Sequence, residues 1–104
     1  MNFPVKVGAS GGQLNFDPER REVPQGQSGT IVWNPVNGQI QEITAIQIGD
    51  GWPYQQPSQD AGKDTWSTEE RNEDAKTYKY SLSARLTDGT VVEVDPEILN
   101  RGGG

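Results

Sequence analysis

From Tyr78 to Leu86 the chain alternates without a break. Tyr78, Tyr80, Leu82, Ala84 and Leu86 are apolar, and Lys79, Ser81, Ser83 and Arg85 stand between them. A period of two marks a strand with one face buried and the other wet. Thr87-Asp-Gly89 follows, and then Val91, Val92, Glu93 and Val94. Register decides the kind of turn. A two-residue turn at Asp88-Gly89 would set Ala84 opposite Glu93 and place a carboxylate on the buried face. A three-residue loop, with Gly89 left-handed as a G1 bulge, sets Leu86 opposite Thr90, Ala84 opposite Val92, Leu82 opposite Val94 and Tyr80 opposite Pro96. Every apolar even position then meets an apolar partner, so a bulged hairpin is expected.

Upstream, Gly29-Thr-Ile-Val-Trp-Asn34 is rich in β-formers and is bounded by the turn-prone 24–28 and by Asn34-Pro35. Asn37-Gly38 is a turn signal, and 40–48 reads as the next strand. Its apolar residues fall on two parities: Ile40, Ile46 and Ile48 on one, Ile43 and Ala45 on the other. Either both faces are covered or a bulge shifts the phase near Thr44. Residues 2–7 and 13–16 are weaker strand candidates, the second ended by Asp17-Pro18.

The stretch 49–74 has no sustained period. It mixes Pro53, Pro57 and Gly62 with Trp52, Tyr54 and Trp66, and near its end Ser67-Thr-Glu-Glu70 has the form of a capping box opening one helical turn to about Asp74. A loop of this length in a compact domain is commonly functional or mobile. No long helical pattern and no internal repeat occurs elsewhere. Short strands separated by turn signals predict an antiparallel Greek-key β-sandwich of about seven strands, cupredoxin-like or immunoglobulin-like. The 104 residues suffice for one domain, 1–104, with a mobile loop at 49–74 and a flexible glycine tail at 101–104.

Composition narrows the chemistry. Only 31% of the residues are hydrophobic, so the core has to be economical. With no cysteine there is no disulfide, no thiolate nucleophile and no zinc–thiolate site. The absence of histidine removes the commonest general base and the commonest transition-metal ligand. A formal charge of −6 argues against nucleic acid and against anionic membrane surfaces, both of which call for clustered Lys and Arg. The first eleven residues contain no apolar run long enough for a secretory signal. With Met1 as the natural start a cytoplasmic protein is expected.

No cofactor is expected, and no catalytic residue stands out. Calcium is chemically conceivable, since Asp50, Asp60, Asp64, Glu69, Glu70, Glu73 and Asp74 crowd one stretch, but they lack EF-hand spacing and such loop carboxylates are ordinarily solvated. Nothing sets two carboxylates across a cleft for glycoside hydrolysis, and no Ser-x-x-Lys occurs. The candidate binding surface is Trp52, Tyr54 and Trp66, among Gln55, Gln56, Asp60 and Asp64. Flat rings beside amides and carboxylates suit stacking on a sugar or anchoring a protein partner. The competing role is packing: Trp52 and Trp66 folded back as lids over an open end of the sandwich.

The order of elements resembles a cupredoxin-like sandwich. Gln27-Ser-Gly-Thr-Ile-Val-Trp-Asn34 stands where that family has a strand entered by a Gly-rich turn, and Tyr78-Lys-Tyr-Ser-Leu82 stands where it has a tyrosine-containing strand. The likeness covers about 23–98. Where the family places its first histidine this chain has Asn37, Gly38 and Gln39, and where Cys and His would stand it has Ser81, Leu82 and Ser83. The resemblance therefore implies the fold without copper and without electron transfer. Tyr78-Lys-Tyr-Ser-Leu82 with the closing Val94-Asp-Pro-Glu-Ile98 also resembles small bacterial proteins, a likeness that implies no function. The expected protein is a monomeric, non-catalytic binding module for a protein or carbohydrate ligand, with two alternatives: a carbohydrate-binding domain using the loop rings, or a metal-free structural domain.

Overall fold

The computed structural model describes residues 1–36, 38–49, 51–62 and 64–103. The Asn37 half of the expected turn, Asp50 of the acidic stretch and Gly104 of the glycine tail lie outside the described residues. Ten strands occur among the rest, with no helix: β1 (Asn2–Ser10), β2 (Gln13–Asp17), β3 (Arg20–Val23), β4 (Gly29–Pro35), β5 (Ile40–Ile48), β6 (Ser58–Gln59), β7 (Trp66–Glu70), β8 (Thr77–Leu86), β9 (Val91–Val94) and β10 (Glu97–Asn100). They form two five-stranded sheets. One runs β2-β1-β4-β7-β6. The other runs β3-β10-β8-β5, with β9 also paired to β8.

The β8–β9 hairpin has the expected register. Ala84 faces Val92 and Leu82 faces Val94, while the Leu86 amide donates to the Thr90 carbonyl at 2.8 Å. Gly89 sits at φ +90°, a region that a side chain with Cβ resists, and the Asp88 carboxylate accepts from the Thr90 amide. Beyond Val94 the pairing does not restart in a new register. Pro96 lacks an N–H, so it contributes only its carbonyl, which accepts from the Tyr80 amide. β10 then resumes the same offset against β8, Glu97 opposite Lys79 and Ile98 opposite Tyr78. Tyr78, Tyr80, Leu82, Ala84 and Leu86 are all buried.

The parity conflict in β5 is resolved by bulges. The register against β8 slips by one residue between Ile40 and Glu42 and again between Ile43 and Ala45. The second is the shift considered near Thr44. The two together turn Ile40, Ile43, Ile46 and Ile48 to one face and leave Ala45 exposed.

Three expectations need correction. The sheets are mixed, not purely antiparallel, because β1 pairs parallel with β4 and β3 pairs parallel with β10. Both pairings join strands distant in sequence, which periodicity cannot register. The strand count exceeds seven, partly because 49–74 contains β6 and β7. The expected helical turn at Ser67-Thr-Glu-Glu70 is itself strand: β7 pairs antiparallel with β4, Thr30 opposite Glu69 and Ile31 opposite Thr68. The inward positions of β7 include Thr68 and Glu70, both buried, so a true period of two was hidden by polar side chains facing the interior.

The core lies between the sheets. Phe3, Val5, Val7, Ile31 and Trp33 of the first sheet meet Ile43, Ile48, Tyr80, Leu82 and Ile98 of the second. The Trp33 indole N–H donates to the Tyr80 hydroxyl at 3.0 Å, and the rings meet edge-on at 5.4 Å. Burial pushes the Tyr80 phenol up to about 12, so it stays neutral and able to accept that bond. Arg21 closes one flank, its guanidinium over the Phe3 ring and donating to the Pro4 carbonyl. At Gly29 the chain approaches the Met1 backbone so closely that a Cβ would stand 1.8 Å from the Met1 carbonyl oxygen.

Candidate functional site

β5 leaves one edge free, and a free strand edge exposes unpaired amides and carbonyls. Two side chains of the stretch that follows it, Gln56 and Trp66, reach that edge. Gln56 behaves as a substitute peptide: its Oε1 accepts from the Ile48 amide at 2.7 Å and its Nε2 donates to the Ile48 carbonyl at 2.9 Å. Further along, the Trp66 indole N–H donates to the Ile43 carbonyl at 3.1 Å. Side chains of the segment thus take the place of a missing strand.

The three rings singled out by sequence are divided between two tasks. Trp52 is 9% exposed, and its indole N–H donates to the Gln55 carbonyl at 3.1 Å. It packs edge-on against both Tyr54 and Tyr78, with ring centroids 5.0 Å apart in each pair. Tyr54 is half-buried, and its hydroxyl accepts from the Glu73 amide. Burial raises the Tyr54 phenol, opposed by that bond, and burial followed by the Asp74 carboxylate raises the Tyr78 phenol. Trp66, also half-buried, belongs to the β5 edge instead. A sugar platform needs an open ring face, whereas Trp52 stands between two edge-on neighbours with its polar atom satisfied inside the chain. The geometry favours the lid.

The acidic residues of this stretch are largely engaged one by one. Asp60 accepts from the Thr65 and Ser67 hydroxyls within the β6–β7 connection. Asp74 accepts from the Tyr78 hydroxyl and from Asn100, and Glu69 pairs with Arg71 at 2.6 Å. Among the described residues no three carboxylates gather as a metal group would require.

A concavity that the sequence reading missed lies elsewhere on the surface. Leu14 and Phe16 of β2, Val94 at the end of β9, and Pro96 form its apolar lining. Glu19, Arg20, Lys79, Asp95 and Glu97 supply charge, around a cavity of about 540 Å³. Register explains the arrangement, because Glu97 stands opposite Arg20 on one side and Lys79 on the other. Arg20 and Glu97 are paired at 3.0 Å, while Lys79 forms no ion pair among the described residues. Asp95 and Pro96, between β9 and β10, stand at its rim, where Pro96 keeps one bond from Tyr80 but lacks the N–H for a second. Pro96 was the available signal, since a proline removes one donor from the ladder.

Compared with known proteins, the chain matches no family model and no curated sequence.

Proposed function

We propose that this protein is a non-catalytic binding module whose contact surface is the groove between β2 and the β9–β10 break. What carries the reading is the groove itself, an apolar floor of Leu14, Phe16, Val94 and Pro96 ringed by charges of both signs, at a size suited to one anchoring group. With Arg20 and Glu97 neutralising each other, Glu19 and Asp95 outnumber Lys79, and the whole chain carries −6. The favoured occupant is a segment of a partner protein bearing an apolar anchor next to basic residues. Electrostatics of this sort guides encounter and selects partners more than it strengthens binding. The resemblance to copper-free cupredoxin-like domains rests on the residues that suggested it and adds no ligand.

A fluorescent peptide of alternating Leu and Lys is a suitable probe. Binding that weakens as salt rises, and that falls at least tenfold on Asp95→Lys with the melting temperature unchanged, supports the reading. Absence of binding, or binding indifferent to Asp95→Lys and Glu19→Lys, refutes it. Retardation of the protein by a soluble polysaccharide, lost on Trp66→Ala, would favour the carbohydrate reading instead.

A further inference from the structure

At the end of β7, away from the groove, Glu70 points into the protein and is 0% exposed. Its Oε1 accepts from the Asn72 amide at 2.7 Å, while Oε2 has no hydrogen-bond partner. The Asn100 side chain, 1% exposed, lies within hydrogen-bonding reach of this carboxyl. Asn100 Nδ2 donates to Asp74 Oδ1 at 3.2 Å, and Asn100 Oδ1 is likewise without a partner. One amide thus stands between two carboxyl groups. Its NH₂ serves Asp74, which leaves Glu70 Oε2 and Asn100 Oδ1 as two buried acceptors without a donor. Buried acceptors without a donor are unfavourable, and a proton on the carboxyl supplies one. Asp74 already holds two donors, Asn100 and the Tyr78 hydroxyl, whereas Glu70 holds one.

No cation among the described residues offsets Glu70. The groups facing it are the Asp74 carboxylate, the Tyr54 and Tyr78 phenols and the Asn100 amide. Opposite it in β4 is Gly29, and 24–28 carries no ionisable side chain. The Arg71 and Arg101 side chains are exposed and paired with Glu69 and Glu22, Lys76 is exposed, and Met1 is 71% exposed.

We propose that Glu70 is a buried proton-binding site, its Oε2–H donated to Asn100 Oδ1, and that the bound proton holds closed a latch centred on Asn72. Burial, opposed by the Asn72 amide, reinforced by Asp74 and opposed again by the Asn100 side chain, pushes the Glu70 carboxyl up to about 7. Asn72 occupies the left-handed region at φ +54° and is fully buried. Its Nδ2 donates to the Pro24 and Gln27 carbonyls at 2.8 and 2.9 Å, and its Oδ1 accepts from the Gly102 amide at 2.9 Å. The Gly26 amide in turn donates to the Gly102 carbonyl. One side chain therefore ties β7, the β3–β4 connection and the C-terminal segment together. Ionising Glu70 places an uncompensated charge against the residue that makes all these bonds.

The folded-state value lies above the ordinary 4.5, so the proton favours the closed latch at low pH, and that preference is lost as pH rises toward 7. Carboxyl-detected NMR of the wild-type chain should show Glu70 titrating near neutrality. Protection of the Gly26 and Gly102 amides should fall about tenfold per pH unit between about pH 5 and 7 and level off above. Glu70→Gln supplies a permanent donor to Asn100 and should remove that dependence. A Glu70 midpoint in the ordinary carboxylate range overturns the proposal even if Glu70→Gln does not fold. So do superimposable pH profiles for the two proteins. A midpoint that shifts with added sodium or calcium assigns the two oxygens to a metal cation and overturns it equally.

Discussion

Replacing Trp52 with alanine separates a packing role from a binding role. The ring is 9% exposed, stands edge-on between Tyr54 and Tyr78, and donates its N–H to Gln55. Truncating a buried tryptophan to alanine costs about 3–5 kcal/mol. Of that, the two edge-on ring pairs account for about 0.5–1.5 kcal/mol each beyond area burial. A domain of this size is stable by only about 5–15 kcal/mol, so Trp52→Ala removes a fifth or more of the total. At about 4–8 °C per kcal/mol, a loss of 3 kcal/mol lowers the melting temperature by roughly 12–24 °C. Trp52→Phe keeps most of the packing but leaves the Gln55 carbonyl with only its bond from the Thr68 hydroxyl, and should cost about 1 kcal/mol beyond the lost ring area. Urea denaturation followed by circular dichroism reads both variants. A loss under 1 kcal/mol for Trp52→Ala, with the urea slope unchanged, would mean the ring is dispensable to the fold and would return it to the list of binding residues.

Tyr80→Phe leaves the fully buried Trp33 indole N–H without its acceptor and should cost about 1–3 kcal/mol in the same assay. Gly89→Val forces a β-branched residue to φ +90°, and a loss of at least about 1 kcal/mol is expected, with Thr90→Val as an exposed control that changes little. Global stability should decline between about pH 5 and 7 by up to about 3 kcal/mol, the folded Glu70 value of about 7 against 4.5 unfolded; calorimetry over that range checks it. Iodide should quench Trp66 in preference to Trp33 and Trp52, as variants lacking one indole at a time will show.

The sequence was legible wherever apolar side chains line the interior at a regular spacing. The β8–β9 hairpin is the clear case, because one register alone kept Glu93 off the buried face. β5 was half legible: four isoleucines signalled burial, but a strand with two bulges has no single period. β7 was misread because its inward Thr68 and Glu70 are polar, and the helix-start signature they helped to compose lies on a strand. The parallel pairs β1–β4 and β3–β10 left no trace, since pairing between distant segments depends on the whole assembly. Tryptophans in an aperiodic segment suggested a surface for others; Trp52 is buried against Tyr54 and Tyr78, while Trp66 is half-buried with its indole N–H on the Ile43 carbonyl. A core built from so few apolar residues gives such rings a prior use.

Sealing the β5 edge explains why a proline-rich stretch can be ordered without being a strand. An exposed edge with Ile46 and Ile48 beside it would invite pairing with another chain. Adding a full strand there would need a run of alternating residues that 49–57 lacks. Side chains do part of that work instead, because in an edge strand only alternate residues turn their polar groups outward, and Gln56 meets both groups of Ile48 at once. The bulge at Thr44 would ordinarily lose part of the ladder, and Trp66 recovers some of that by taking the Ile43 carbonyl. Removing either donor therefore has a double effect. Trp66→Phe and Gln56→Ala should each destabilise the fold by about 1–3 kcal/mol through unsatisfied backbone groups. Each should also raise self-association in proportion to concentration, read by light scattering at temperatures well below unfolding. Equal destabilisation without any added association would show that the edge is blocked by something other than these two side chains.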